Sequence, residues 1–356
     1  MKKILLSFAV LLASSCQIGY LVKSSYHQMS LLSKRVPIEK VLTDPKVDES
    51  IKIKLRLGQE ARQFSEEVLK LSSSKNYTTY VQLDQPDVSY VVSASPKWKL
   101  EHHLWSFPFV GEVPYKGYYR RADAEEEEKE LQKKNLDTYL RGVSAYSTLG
   151  WFNDPILSSM MRYKNYHLVN TIIHETVHAT LYIKSSADFN ERMAVFLGNK
   201  GTELFYLKKE GVNSETLKII KDENEDDRLF SEFISKEINS LTSWYQRQSD
   251  KNPSEEDRRQ HFSDIKENFK STVLQKMKTE AYQNFSNSEL NNARLLLYKT
   301  YMQDLSDFQK LFDLTSENFS EFLHCCEKLK KTEKPEQGLK KIIADLESSG
   351  ARNCRS

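Results

Sequence analysis

Residues 174–194 read HETVHATLYIKSSADFNERMA, and the way this stretch folds decides what the chain is built around. His174 and His178 are four residues apart, so on a helix both imidazoles leave from one face. Ile172, Ile173, Val177 and Leu181 make that helix largely apolar, a poor setting for two histidines and a glutamate that have no task. The spacing suits two of the donors of a tetrahedral Zn²⁺. Glu175 lies on the neighbouring arc. There it can take a proton from an attacking water without itself binding the metal. His-Glu-x-x-His on a helix is the metallopeptidase signature with that mechanism.

A catalytic zinc needs a third protein donor and an open fourth position. The loop from Lys184 to Asp188 lets the chain reverse, and a second helix is predicted to start near Asn190. Glu191, Ala194 and Gly198 share one side of it, so small residues beside the carboxylate allow the two helices to approach closely. Glu191 is thus the candidate third ligand. Asp188 is its rival, and His167, about two turns upstream of His174, is too distant. A second reading of Glu191 stays open: Asp188 as N-cap and Glu191 as its N3 partner in a capping box.

Working outward, residues 19–34 read as a helix, and Val47 to Leu71 as a longer one with Leu55, Phe64, Val68 and Leu71 among its apolar positions. From Tyr77 to Arg121 aromatic and β-branched residues with Pro, Asp and Gly punctuation predict strands and turns. Residues 122–140 read as helix, the acidic run being a solvated face with i,i+4 pairs such as Glu125–Lys129. Val143 to Leu149 reads as a strand, followed by a turn and a helix opened by Pro155. Beyond Ser185 the chain is nearly all helix. The expected class is α+β and predominantly helical: a small, mainly antiparallel sheet, then the histidine helix and a large helical body. The division reads as 1–15 leader, 16–202 sheet and site, and 203–356 helical part.

The N-terminus, MKKILLSFAVLLASSCQ, has two lysines, a ten-residue apolar run and small residues before Cys16. This is a secretory signal peptide too short to span a bilayer. The small residues before Cys16 resemble a bacterial lipobox, which implies lipidation of Cys16 and attachment to a membrane through the lipid. Gln17 in place of Asp favours the outer membrane, facing the periplasm of a Gram-negative-type cell. Removing the leader takes Lys2 and Lys3 away and brings the formal charge from +2 to zero. No clustered basic face for nucleic acid is expected. Of Cys325, Cys326 and Cys354, one of the adjacent pair can bridge to Cys354 in an oxidising envelope, leaving one thiol.

WSFPFVGEVPYKGYY, AYSTLGWFNDPILSSM, HETVH, DFNERMA and NNARLLLYKTY occur in this order over residues 19 to about 329. Together they resemble the bacterial putative aminopeptidase family. The resemblance implies a zinc peptidase acting on a peptide substrate with one Zn²⁺ per chain: His174, His178 and Glu191 as ligands and Glu175 as base. The Gly-x-Met-Glu-Asn element with which well-known zinc aminopeptidases hold a free amine is absent, so the residues speak for a peptidase more than for an aminopeptidase. By likeness to peptidases of this general kind, Ala145, Tyr146, Ser147, Thr148 and Leu149 are candidates to pair with an extended substrate. Tyr298 and Tyr301 are candidates to donate to the oxyanion. Tyr115, Tyr118 and Tyr119 read as sheet residues. Two other readings remain: a non-catalytic helical envelope lipoprotein, and a metal-dependent hydrolase of a non-peptide bond.

Overall fold

The computed structural model describes residues 19–354 except 73, 108–110, 147, 149–151, 185, 249–253 and 303, with backbone only at Gly111 and Tyr301. Cys16, Ser147 and Leu149 therefore lie outside the described residues. Helix α1 covers 19–33. It is followed by β1 (Val36–Pro37), α2 (Ile38–Thr43) and α3 (Glu49–Glu67), the last capped by the Asp48 carboxylate accepting from the Ser50 N–H. Five short strands come next: β2 (Thr79–Val81), β3 (Ser89–Pro96), β4 (Trp105–Phe107), β5 (Gly111–Val113) and β6 (Tyr115–Tyr118).

β3 sets the geometry of this half. Its residues alternate in burial, and Tyr90, Val92 and Ala94 pack against Ala124 and Leu131 of α4 (Arg121–Lys133). β3 is the middle strand of an antiparallel sheet ordered β6-β3-β7, where β7 is Leu136–Val143. A β4–β5 hairpin and a small sheet ordered β1-β2-β8 complete the strands, β8 (Ile156–Leu157) pairing parallel to β2.

Here the sequence reading needs three corrections. The helix expected to reach residue 140 stops at Lys133, because Asn135 takes a left-handed conformation (φ 59°) and turns the chain into β7. The strand expected over 143–149 ends where it was expected to begin. Ser144 is drawn out of the ladder: its carbonyl accepts from the Ser159 hydroxyl at 2.6 Å and its own hydroxyl meets Arg162 at 3.0 Å. Pro155 opens no α-helix; β8 and a 3-10 turn (Ser158–Arg162) follow it.

The rest is helical: α5 (Asn165–Thr180), α6 (Ala187–Glu210), α7 (Glu215–Gln248), α8 (Glu255–Thr272), α9 (Asn292–Tyr301), α10 (Ser306–Leu314), α11 (Phe319–Glu327) and α12 (Pro335–Ser349). Residues 277–291 are turns rather than helix. α6 runs unbroken through position 202, and one apolar cluster joins residues from Leu31 to Cys354 across it. A second cluster is built on α7, whose charged sequence hides an apolar stripe of Phe230, Ile234, Ile238, Leu241 and Tyr245. A disulfide joins Cys325 to Cys354, and Cys326 is a buried thiol. No described helix is long and apolar enough to cross a membrane.

The sheet is bolted to the helical body by a buried ion pair. Arg258 of α8 donates to both oxygens of Asp137 on β7, at 2.6 and 3.0 Å, and the Asn292 N–H at the head of α9 joins it at 2.9 Å. Asp137→Ala leaves the buried guanidinium with Glu255 as its remaining carboxylate and the Asn292 N–H unpaired, and is expected to cost about 3–5 kcal/mol in urea unfolding. The double change Asp137→Leu with Arg258→Met is expected to recover most of that loss.

Candidate metal centre

α5 and α6 form an antiparallel pair in close contact. A Cβ at Gly201 would lie 2.8 Å from Leu69 Cδ1 and 3.1 Å from Ile173 Cγ2, so a larger residue there needs these side chains to shift. Gly198 faces the same seam, where an added Cβ would lie 3.4 Å from His174 Cβ. The connection between the helices is held by Asn190, which is fully buried. Its amide accepts from the Ile183 N–H at 2.9 Å and donates to the Ile183 carbonyl at 2.8 Å. The next residue is Glu191, so the loop and the carboxylate are positioned together.

α6 starts at Ala187 with Ser186 as N-cap, and no side chain caps it. Asp188 is thus inside the helix, and the capping-box reading of Glu191 does not hold. Glu191 instead turns to the histidines. Its two oxygens lie 3.5 Å from His174 Nε2 and 3.5 Å from His178 Nε2, and the two nitrogens are 3.2 Å apart. Among the described residues this is the one group of three or more His, Cys, Asp or Glu side chains that converges in this way. His167 points elsewhere, to Glu223 at 2.8 Å.

These spacings provide a test of fit. A tetrahedral ion with donors at about 2.0–2.1 Å separates them by about 3.3–3.4 Å. The 3.2 Å between the two imidazole nitrogens is close to that separation, and each nitrogen has a different Glu191 oxygen 3.5 Å away, Oε2 for His174 and Oε1 for His178. His178 Nδ1 is buried and has no hydrogen-bond partner, so this ring makes its polar contacts through Nε2. The residues present fit a divalent metal.

The electrostatics agree. Burial pushes the Glu191 carboxyl up, but the two imidazoles outweigh it and hold the group down at about 2. Burial lowers His174, but the hydrogen bond to Glu191 and the charges of Glu175 and Glu191 more than reverse this and raise it. Burial raises Glu175, with only partial opposition from His174 and His178. A carboxylate raised in this way is a better base near neutrality.

Above the cluster opens a cavity of about 690 Å³. One wall is the face of the sheet opposite α4: Tyr115 and Gly117 from β6, Val91 from β3, Arg141 and Val143 from β7. Ala145 and Tyr146 continue this wall, and their backbone groups hydrogen-bond to no described residue. Thr148 is committed elsewhere, its N–H and hydroxyl bonding the Asp154 carboxylate at 2.9 and 2.8 Å. Tyr298 lines the far side, its ring on Phe230 and Phe285 and its hydroxyl 3.4 Å from Arg294 Nε. The side chain of Tyr301 lies outside the described residues.

Tyr115 is both a strand residue and a cavity residue. Desolvation and then the Glu191 charge raise its hydroxyl, although 49% of the residue is exposed. The contacts of its neighbours show why. Lys116 and Tyr118 both reach Glu127 on α4, at 3.1 and 2.7 Å, and strand alternation then turns Tyr115 to the opposite face. Arg141 was missed because its strand was read as helix. Asn190 was passed over because its partners are backbone groups.

The profile of a family described as putative aminopeptidase matches residues 19–340. No curated protein and no solved structure matches the chain.

Asn190→Ala leaves the Ile183 N–H unpaired, leaves its carbonyl with the Ser186 N–H alone, and frees the turn before Glu191. It is expected to weaken divalent-metal affinity by about 10–100-fold, as loss of a ligand's supporting contact does. Chelator competition against the wild type measures the change.

Proposed function

The chain belongs to the putative aminopeptidase family, and from that premise we propose that it is a zinc-dependent metallopeptidase tethered to the bacterial cell envelope. The family description points to a peptidase. The observation that carries the finer reading is the convergence of His174, His178 and Glu191, the imidazole nitrogens 3.2 Å apart and a carboxylate oxygen 3.5 Å from each.

A zinc ion bound there supplies Lewis acidity to a scissile carbonyl and makes water a stronger nucleophile near neutral pH. The chain's own groups do the rest. His174 and His178 present neutral Nε2 atoms, and Glu191 an ionised carboxylate, from two helices locked by Asn190. The Glu175 carboxylate takes a proton from the attacking water. It returns that proton to the leaving nitrogen as the C–N bond breaks, giving a carboxylic acid and an amine. Ala145 and Tyr146 offer backbone groups to an extended substrate at the cavity wall. Of the five tyrosines that line the cavity, Tyr115 and Tyr298 are our candidates to donate to the developing oxyanion.

The envelope part of the proposal rests on the signal peptide and on Cys16, three residues before α1 begins. The Cys325–Cys354 disulfide suits an oxidising compartment. The lipid, with no described helix able to cross a membrane, is then the means of attachment.

Elemental analysis of purified protein is expected to find about one zinc per chain, lost in His174→Ala and kept in Glu175→Gln. Glu175→Gln is expected to slow peptide cleavage by at least about 10²–10⁴-fold. Protein that neither contains nor takes up stoichiometric zinc would sink the proposal. For the anchor, labelled fatty acid is expected in the wild type and not in Cys16→Ser.

A further inference from the structure

Helix α1 has two apolar faces, and the fold uses one of them. On the inner side Tyr20 donates its hydroxyl to the Gly117 carbonyl at 2.8 Å and sets its ring against Phe107 and Tyr118. His27 stacks on Tyr119 at 4.3 Å, Gln28 accepts from the Tyr146 hydroxyl, and Leu31 and Leu32 enter the main apolar cluster. On the outer side Val22, Tyr26 and Met29 follow at i, i+4 and i+7, so they form one stripe. They are 64%, 69% and 57% exposed, and among the described large apolar side chains only Val212 is more exposed than Tyr26. A helix that packs one face on its own protein usually turns polar residues outward. Three large apolar side chains in a row mark a face built to be covered.

The position of the stripe in the chain says by what. Cys16, the residue read as lipidated, precedes Gly19, where α1 begins, by three residues. Whatever its conformation, a chain of that length spans at most about 11 Å. Acyl chains on Cys16 therefore hold the first turn of α1 close to the headgroups. From Cys16 to Ile38 there is no Asp or Glu, while Lys23, Lys34 and Arg35 are present, so this segment carries no charge that anionic lipid would repel. Lys23 and Lys34 are held by Asp123 and Asp84, which leaves the apolar stripe as the main source of attraction. A tyrosine in its middle suits the headgroup level, with an apolar ring and a polar tip.

We propose that α1 lies on the bilayer surface with Val22, Tyr26 and Met29 in the interface, as a second attachment beside the lipid. This rests on reading Cys16 as the anchor. The consequence is orientation. Gly117 and Tyr146, the partners of Tyr20 and Gln28, both line the cavity above the metal cluster. A lipid alone leaves the body free to turn on its tether. With α1 seated in the interface, the wall of the cavity is fixed relative to the membrane.

Two preparations carry the test. In the first, the full lipidated protein is reconstituted in vesicles of phosphatidylethanolamine and phosphatidylglycerol, and Tyr26→Trp is compared with its parent. The added emission is expected to be blue-shifted and to be quenched by lipids brominated near the headgroup end of their acyl chains. In the second, the leaderless chain with Cys16→Ser is titrated with the same vesicles. It is expected to bind, and the triple change Val22→Ser, Tyr26→Ser and Met29→Ser to weaken binding by about 10–100-fold, with zinc content and the urea midpoint retained. Emission at position 26 that brominated lipid leaves untouched would overturn the inference. So would a Cys16→Ser chain that does not bind vesicles, or binding that the triple change does not reduce. A dimer in sedimentation that the triple change abolishes would overturn it too, because the stripe then belongs to a second copy of the chain. The anchor fails separately. If the wild type takes up no labelled fatty acid while the Cys16→Ser chain still binds through the stripe, the lipid reading falls and the docking face stands.

Discussion

The contact between α5 and α6 is the constraint on which the rest depends. Two histidines on one helix face can supply two donors, but no single helix can bring a third to the tip of the triangle. That takes a second helix at close range and at a set height. Gly201 gives the range, because a side chain there would strike Ile173 and Leu69. Asn190 gives the height by tying its amide to both backbone groups of Ile183. Side-chain-to-backbone pinning of this kind leaves the loop few alternative conformations, which is what a metal site needs from its surroundings.

The helices behind α6 carry the load from the other side. Arg192, one residue after Glu191, reaches the Asp304 carbonyl at 2.6 Å and the Asp307 carboxylate at 2.6 Å. Phe189 and Phe196 stack into Phe308 of α10, and Phe196 also meets Phe322 of α11. The Cys325–Cys354 bridge ties the end of the chain to α11. These C-terminal helices form a buttress that holds α6 against α5, and α9 reaches the cavity directly through Tyr298.

What could be read from the residues followed from how local the physics was. The histidine pair and the glutamate between them are set by helical period alone, and the structure places them as the spacing requires. The antiparallel α5–α6 turn was legible because Gly198 and the polar loop announce it. The end of α4 was not. Residues 134–140 contain Lys134, Leu136 and Leu140, which suit either state; the left-handed Asn135 ends the helix, and Asp137 then pairs with Arg258, more than a hundred residues away. The error carried forward: with residues 136–140 read as helix, Arg141 had no assigned face, and the strand was expected to begin at Val143, where β7 ends. Tyr115 shows the reverse case: the element was right, and only the contacts of Lys116 and Tyr118 with Glu127 on the other face say which way Tyr115 faces.

The electrostatics of the cluster explain why it can be so well formed ahead of its ion. A carboxylate held down at about 2 beside an imidazole whose pKa is raised is a site that demands positive charge at its centre. The raised His174 and the lowered Glu191 favour an imidazolium–carboxylate pair across 3.5 Å. A divalent cation held by the same three residues would take the place of that proton, because a metal-ligating histidine must be neutral. Glu175, left outside the triangle with its pKa raised by burial, is free to handle the proton that chemistry at such a centre must move.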